Sequence, residues 1–476
     1  MTEIYEPGHP LWWVRRLEER LASRRGHLER YAHYYAGDHD LQFATEKFRE
    51  AFGGLFRHFA DNWCDLVVDA VEERLNVDGF RLGDDPAGDK GAWEIWQRNQ
   101  LDADSQIAHT EALVHGISYA LVWWGEDRRP AVNVESPFQT VVAFETGSRR
   151  RRAAALKKWR DDQGYELVTL YLPQEIYKWR GRHRVSDGPQ VGSVDPMRLV
   201  EREVADEPWP LPNPLGVVPV VPLVNKPTLG AEAGQSEIHK VIPIQNAVNK
   251  LTADLLVASE YAAFRQRWAT GLEIPRDPET NQQIEPFRSA VSRLWISEDP
   301  ETSFGEFGET NLENYVKAIE MLVQHIASQT RTPPHYFFLR GQFPSGESIK
   351  AAETGLVTKA RRKMRHFGEG WEEVMRLALR VAGDERGAQA WGMETIWADP
   401  ESRTESQHVD AILKKLQLGV PQQQLWEDAG YTPQQIERFH AMRRREALEA
   451  STAGGDLRRL FDADSEPAPV SPERLR

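Results

Sequence analysis

The stretch GQFPSGESIK, Gly341 to Lys350, comes nearer than any other to a chemical motif in this chain. A phosphate-cradling loop needs Gly, four residues, Gly, Lys, then Ser or Thr, set between a strand and a helix, because backbone N–H groups and one lysine together hold the phosphates. Gly341, Gly346 and Ser348 fit that spacing, but Glu347 stands where the lysine belongs. Exchanging an ammonium for a carboxylate inverts the field at the phosphate. At ~4 Å and an effective dielectric near ~20, each unit pair is worth roughly 4 kcal/mol, so the inversion costs about 8 kcal/mol. No alternating strand series surrounds the motif to build a doubly wound sheet. The residues suit a helix start better: Pro344 and Gly346 end a loop, Ser345 can cap, and Glu347 falls in the first turn, where the macrodipole favours an acid.

Other candidates are weaker. HYYAGDHD brings His33, Asp38, His39 and Asp40 close in sequence, but Gly37 separates His33 from the rest and no second His or Cys group stands at a diagnostic spacing. Arg149 to Arg152, continued by Lys157, Lys158 and Arg160, could contact phosphates, yet the run adjoins expected strands and reads more simply as a solvated edge. The segments Asp410–Leu418 and Gln422–Ala429, joined by LGVP, have the outline of a helix-turn-helix. A DNA reader would want a basic second helix, whereas PQQQLWEDAG is acidic to neutral. No nucleophile elbow and no convincing carboxylate pair is present, so no catalytic residue, metal or cofactor is expected. Two alternatives stay open: a metal-dependent enzyme using His33 and Asp38, and a DNA-binding regulator using the C-terminal helix-turn-helix-like segment.

The whole chain sets limits on these candidates. Its 476 residues are enough for several packed units, and 40% hydrophobic with 28% charged residues is ordinary globular composition. A single cysteine, Cys64, rules out an internal disulfide and reads as a small core residue compatible with a reducing compartment. No secretory signal opens the chain and no apolar run approaches the ~20 residues of a membrane span, so synthesis in the cytoplasm and no membrane partner are expected. A net charge of −14 argues against a generally basic, sequence-reading face. Sixteen tryptophans imply large aromatic contacts in the core or between subunits.

The elements that must position these residues follow from periodicity. Leu11–Tyr35, Leu55–Leu75 and Trp93–Gly116 read as helices. AVNVES, TVVAFE, AAALKKW, YELVTLYL and EIYKWR then read as strands, with DDQG as a hairpin turn. EPWPLPNPLGVVPVVPLVNKP is too proline-rich for a helix and is expected to cross, extended, between bodies, with a boundary near Gly234. Ser236–Phe264 reads as a long helix, kinked if anywhere at Pro243, and TNLENYVKAIEMLVQHIAS as a second, with a capping-box pattern at Thr310 and Glu313. Short β-rich pieces lie between them. The longest helix candidate runs from Ile349 to about Val381, with Gly355, Gly368 and Gly370 favouring a bend. Three shorter helices follow within Thr404–Leu448, and the tail from Ser451 is expected to be disordered.

Laid in order, these parts resemble the portal proteins of tailed bacteriophages, the head-to-tail connectors of long-tailed phages. The carriers are YYAGDHD and VVDAVEERLNVDGF, LGVVPVVPLVNKP, GQSEIHKVIPIQNAVNKLTADLL, PSGESIKAAETGLVTKARRKMRHFGEGWEEVMRLAL, and the closing helices with LGVP and AGYTP. The resemblance implies an α+β portal fold: an α+β wing at residues 1–235, a stem helix at 236–264, a small β-rich clip at 265–309 and a second stem helix at 310–331. It then implies a tunnel loop at 332–347, a long kinked tunnel helix at 348–382, a return to the wing at 383–403, an all-α crown at 404–448 and a disordered tail at 449–476.

Carried onto this sequence, Arg340, Gln342, Phe343, Ser345, Glu347 and Lys350 belong to the tunnel loop and DNA channel, and Arg276, Asp277, Glu279, Asn281 and Gln282 to a clip that docks partners. The implied protein is non-enzymatic and forms a dodecameric ring at one capsid vertex of the virion, through which double-stranded DNA passes without sequence preference. Its implied partners are further copies of itself, the large terminase subunit, the major capsid and scaffolding proteins, and a head-completion or adaptor protein. The cluster Arg361, Arg362, Lys363 and Arg365 is then expected to pack toward neighbouring subunits or to lie at the inner crown.

Overall fold

The computed structural model describes residues 6–39, 46, 61–83, 88–184, 195–205, 207–230, 233–263, 267–271, 278, 301–306, 311–337, 346–401 and 405–463. The chain mixes helix and strand and divides into two compact units, the first comprising Met1–Ala36, Asp65–His239 and Arg331–Arg476, the second Gly37–Cys64 and Lys240–Thr330.

The first unit is built on a six-stranded antiparallel sheet. Strands β4 (Thr140–Phe144), β5 (Arg152–Arg160), β6 (Tyr165–Tyr171), β7 (Glu175–Arg184) and β8 (Leu199–Glu201) run in that order, with β9 (Leu211–Pro212) also on β7. Successive side chains of a strand face opposite ways, and here both faces are apolar. Val141, Ala154, Leu156, Val168 and Leu170 pack against Val14, Leu17 and Leu21 of α1 (Pro10–Tyr35). Val142, Ala155 and Tyr171 pack the other way, onto Ile117, Tyr119 and Val220. Those three residues belong to a second sheet of β10 (Val220–Val224), β2 (Ile117–Trp124) and β3 (Pro130–Glu135), in that order. The proline-rich stretch is therefore a strand of the first unit rather than a free crossing. Pro222 is tolerated because β10 is an edge strand, paired on one side only.

The expected third helix is two helices, α3 (Lys90–Arg98) and α4 (Leu101–His115). Gln100 adopts a left-handed φ of 54°, and Asn99 stops α3 by donating to the Ile95 carbonyl at 2.8 Å while accepting from the Val132 N–H at 2.9 Å. Preceding them, α2 (Cys64–Glu72) buries Cys64 completely, and β1 (Val77–Arg81) pairs with β13 (Glu394–Trp397) from the far end of the chain.

Helix α7 (Gly346–Ala382) is continuous over 37 residues, roughly 55 Å at 1.5 Å per residue. Its glycines serve close packing: a Cβ on Gly370 would run into the Leu223 side chain of β10, and one on Gly368 would lie 3.3 Å from the Trp397 indole nitrogen. Around its middle, Trp371 meets Trp96 edge-on at 5.1 Å and donates its indole N–H to His109 Nε2 at 2.9 Å, while Phe367 stacks on the same imidazole at 5.0 Å. Burial pushes the His109 imidazole down to about 3, so it stays neutral as an acceptor, with the Leu75 backbone opposing the drop. The unit ends with α8 (Glu385–Ala388), α9 (Glu405–Gln417), α10 (Gln422–Asp428) and α11 (Pro433–Ala463). Helix continues from Ser451 to Ala463, where disorder was expected; residues 464–476 lie outside the described residues.

The second unit centres on α5 (Ile242–Ala263) and α6 (Glu313–Thr330), whose Val248, Ala253, Val323, Ile326 and Ala327 are buried. Pro243 does not kink α5. It is the second residue of the helix, where its missing N–H is not needed and its fixed φ is already helical. Asn311 meets the start of α6 by accepting from the Glu313 N–H at 2.9 Å; Thr310, and with it the expected capping box, lies outside the described residues. Gln245 of α5 accepts from the Trp63 N–H and donates to Asn249, each at 2.9 Å, and Asn249 meets His39 Nδ1 at 2.9 Å. Between the helices, β11 (Arg267–Thr270) and β12 (Ser303–Glu306) pair antiparallel.

Candidate functional site: a charged junction on the long helix

Sequence elements far apart in the chain meet inside the first unit. The Asn225 N–H donates to the Gly116 carbonyl and the Gln235 N–H to the Asn225 carbonyl, both at 2.9 Å. The backbones approach so closely that a Cβ on Gly234 would collide with the Asn225 carbonyl oxygen, and one on Gly116, whose φ is 88°, would lie 2.7 Å from the Gly234 oxygen. Only glycine fits at either place. The Asn225 amide nitrogen then donates to the Gln235 carbonyl at 2.7 Å and to Glu237 Oε1 at 3.2 Å, while its oxygen accepts from Lys363 Nζ.

Glu237 is the centre of the junction. Its carboxylate takes Lys363 at 2.5 Å, Lys359 at 2.9 Å and Lys226 at 2.9 Å, with side-chain exposure of 1% for the acid and 2%, 9% and 36% for the lysines. Burial alone would push the Glu237 carboxyl up, but Lys359, Lys363 and Lys226 together reverse this and hold it far below the usual carboxylate range. Burial lowers Lys363 to about 8 and also lowers Lys359, with Glu237 opposing in both cases. Lys226, Arg331 and the lysines themselves add to the depression, because they crowd like charge around one acid.

The junction also lies at the chain's passage out of the unit and back. The chain leaves the first unit after His239 and returns at Arg331. His239 Nδ1 meets the Tyr31 hydroxyl of α1 at 2.9 Å. Arg331, with a left-handed φ of 58°, packs so that a Cβ on Gly355 of α7 would be 3.6 Å from its own Cβ. Two residues earlier on α7, Glu353 lies 3.6 Å from both Arg74 and His335, and Arg74 also donates to the Tyr336 hydroxyl at 3.0 Å. The short 3-10 turn Pro334–Tyr336 and the start of α7 are thereby tied to one arginine. These flank residues 338–345.

Of the residues named for the tunnel loop, Lys350 is described: it is half-buried on α7 and lines a small cavity of about 80 Å³ with Glu353, Arg361 and Glu401. Glu347 is the second residue of α7, as a helix start requires, and its side chain lies outside the described residues. Arg340, Gln342, Phe343 and Ser345 lie outside them too, as do Arg276, Asp277, Glu279, Asn281 and Gln282.

The basic run on α7 does not act as one outward cluster. Lys363 is turned inward onto Glu237, and Arg361 reaches Asp399 at 3.6 Å and Glu401 at 3.8 Å, whereas Arg362 and Arg365 are exposed. The physical reason is helical spacing: Lys359 and Lys363 are four apart on the face that carries Leu356, Ala360 and Phe367. Two lysines on an apolar stripe were the legible signal that a buried acid awaited them.

The earlier run behaves alike. Arg152 pairs with Glu373 at 2.7 Å, Lys158 with buried Glu18 at 2.5 Å, and Lys157 with Glu135, so these three cations are internal ties, whereas Arg149, Arg150 and Arg151 are exposed as a solvated edge would be. Among the described residues no group of three His, Cys, Asp or Glu could hold a metal, and no helix is long and apolar enough to cross a membrane.

A buried acid saturated by three lysines holds α7, the end of β10 and the segment around Glu237 together. Residues 15–448 match the family described as Phage portal protein, SPP1 Gp6-like, and the chain belongs to that family. The portal protein of Mycobacterium phage D29 is 32% identical over 419 residues, covering 84% of this chain and 81% of its own. That of Mycobacterium phage L5 is 32% identical over 434 residues, covering 86% and 84%. A chain from a solved structure, "Virion of native gene transfer agent (GTA) particle", aligns over 78% of this chain and 88% of its own, with 11% identity and a TM-score of 0.41.

Proposed function

We propose that the chain assembles into a dodecameric ring at one vertex of a phage capsid, conducts double-stranded DNA inward during packaging and outward at ejection, and catalyses no reaction itself. The observation that carries this reading is the family match spanning residues 15–448, which takes in parts of both units. In the proposed ring the second unit, with α5, α6 and the β11–β12 pair, is the stem and clip that dock the large terminase subunit and later the head-completion protein. The segment before α7 is the tunnel loop, and α9 to α11 form the crown. The net charge of −14 supports a channel that lets DNA slide, since each phosphate a protein neutralises adds affinity and hence friction.

Imaging of the purified chain tests the reading directly: rings with a central hole wide enough for duplex DNA are expected, and particles that stay compact monomers across concentration and salt would overturn it. A gel shift separates the regulator alternative, which requires tight, sequence-dependent binding through α9 and α10. Elemental analysis separates the metal-enzyme alternative, which requires stoichiometric metal in the purified chain.

A further inference from the structure

Helix α9 carries an apolar ridge that stays exposed among the described residues. Val409, Leu413 and Leu416 recur at four and three positions, with Leu418 just beyond, and they are 49%, 52%, 54% and 83% exposed. Side chains so spaced lie along one side of a helix, and a contiguous exposed apolar row of this kind marks an interaction surface. Elsewhere in the same unit, α10 and α11, with Gly88, line an open groove of about 570 Å³ to which Pro433, Ile436 and Ala447 contribute apolar surface and Glu437, His440 and Arg444 polar surface. No α9 residue lines it. One chain thus presents a ridge in one place and a groove in another.

One charge on each surface also suits the other. Asp410 follows Val409 on the flank of the ridge, and its carboxylate, 62% exposed, meets only Lys414 of the same helix among the described residues. Arg444 on the groove rim makes a 3.4 Å contact with the His440 carbonyl of its own helix and has no acidic partner among the described residues. We infer that the α9 ridge of one copy seats in the α10–α11 groove of the next, with Asp410 against Arg444. Because ridge and groove are different surfaces, the contact is head-to-tail, the kind that closes into a ring when its rotation closes. The inference rests on the ring reading above and names the surface that joins its subunits.

The test uses the purified full chain, with native mass spectrometry and sedimentation to read assembly and circular dichroism to confirm folding. Leu413→Glu spoils the ridge and Ala447→Trp fills the groove; each should raise the concentration needed for assembly by roughly tenfold or more, about 1.4 kcal/mol or more. Mixed together, the two variants retain one good contact between an intact ridge and an intact groove, so heterodimers without rings are expected. Asp410→Arg and Arg444→Asp should each weaken assembly and together restore it, a result that a folding defect could not produce. If wild type forms rings and both Leu413→Glu and Ala447→Trp do so equally well, this interface is overturned while the ring reading stands. A wild-type chain that never assembles removes both.

Discussion

Lys363 and Glu237 lie 126 positions apart in the chain and meet at 2.5 Å, almost wholly withdrawn from solvent. That pair, with Lys359 and Lys226, fastens α7 to the end of β10 and to the segment that leads out of the first unit. Removing one partner of a buried ion cluster costs far more than the net worth of the cluster, because the remaining charges stay desolvated.

Glu237→Gln should therefore destabilise the first unit by about 3–5 kcal/mol, the usual cost of leaving buried charge uncompensated. Lys363→Met should cost much less, since two lysines still satisfy the carboxylate and a buried ammonium is removed. Urea unfolding followed by tryptophan fluorescence compares the two. Equal losses would contradict the central role of the acid.

The pH dependence has a definite sign. Glu237 is depressed below its ordinary 4.5, so its contribution is present above about pH 4.5 and falls away as pH drops toward the folded value. Lys363, depressed from 10.5 to about 8, is protonated more readily unfolded than folded between those values, so stability tied to it rises as pH goes from about 8 to 10.5. Unfolding midpoints measured across pH should show a smaller alkaline gain in Lys363→Met than in wild type, the remainder coming from Lys359, which burial also lowers.

Gly234→Ala should prevent normal folding or cost more than about 3 kcal/mol, because its Cβ would strike a backbone carbonyl that cannot move without breaking the Gly116–Asn225 pairing. Gly370→Ala should be milder. Its Cβ meets the tip of Leu223, which can shift, and the helix gains about 1 kcal/mol in propensity. Thermal melts of the two variants give the comparison.

Two measurements probe the stretch that first suggested a nucleotide site. The purified chain should show no ATPase activity, and turnover that Ser348→Ala abolishes would contradict a non-enzymatic role. In the proposed ring, Glu347→Lys should slow DNA packaging without disrupting assembly. An exposed charge pair is worth about 0.2–1 kcal/mol, so the slowing should be roughly 1.5- to 5-fold. Packaged DNA per particle over time is the readout, and an unchanged rate in the mutant would count against a tunnel loop that repels phosphate.

Much of the architecture was legible because it is local. Period-two runs gave β3 to β7, the LGVP and AGYTP breaks separated α9, α10 and α11, and the apolar stripe from Leu356 to Ala378 gave α7. Order along the chain was enough to reach the portal family, which the match over residues 15–448 bears out. Other readings failed where a distant partner decides. Pro222 read as a free crossing because its neighbour in the sheet, Tyr119, lies about a hundred positions earlier. The basic residues of α7 read as one cluster because, although the apolar stripe shows that Lys359 and Lys363 face inward, nothing near them in sequence identifies Glu237 as their partner.

The sequence by itself determined most of the locally encoded helices and strands, that the chain is acidic overall, and that Glu347 fits a helix start better than a phosphate loop. Tertiary structure alone decided which charges are buried, which glycines are obligatory and which apolar row stays uncovered. Periodicity reports only which side of an element avoids water. Whether a lysine on that side finds a carboxylate, or a leucine finds a groove, depends on chain segments that meet only when the molecule folds.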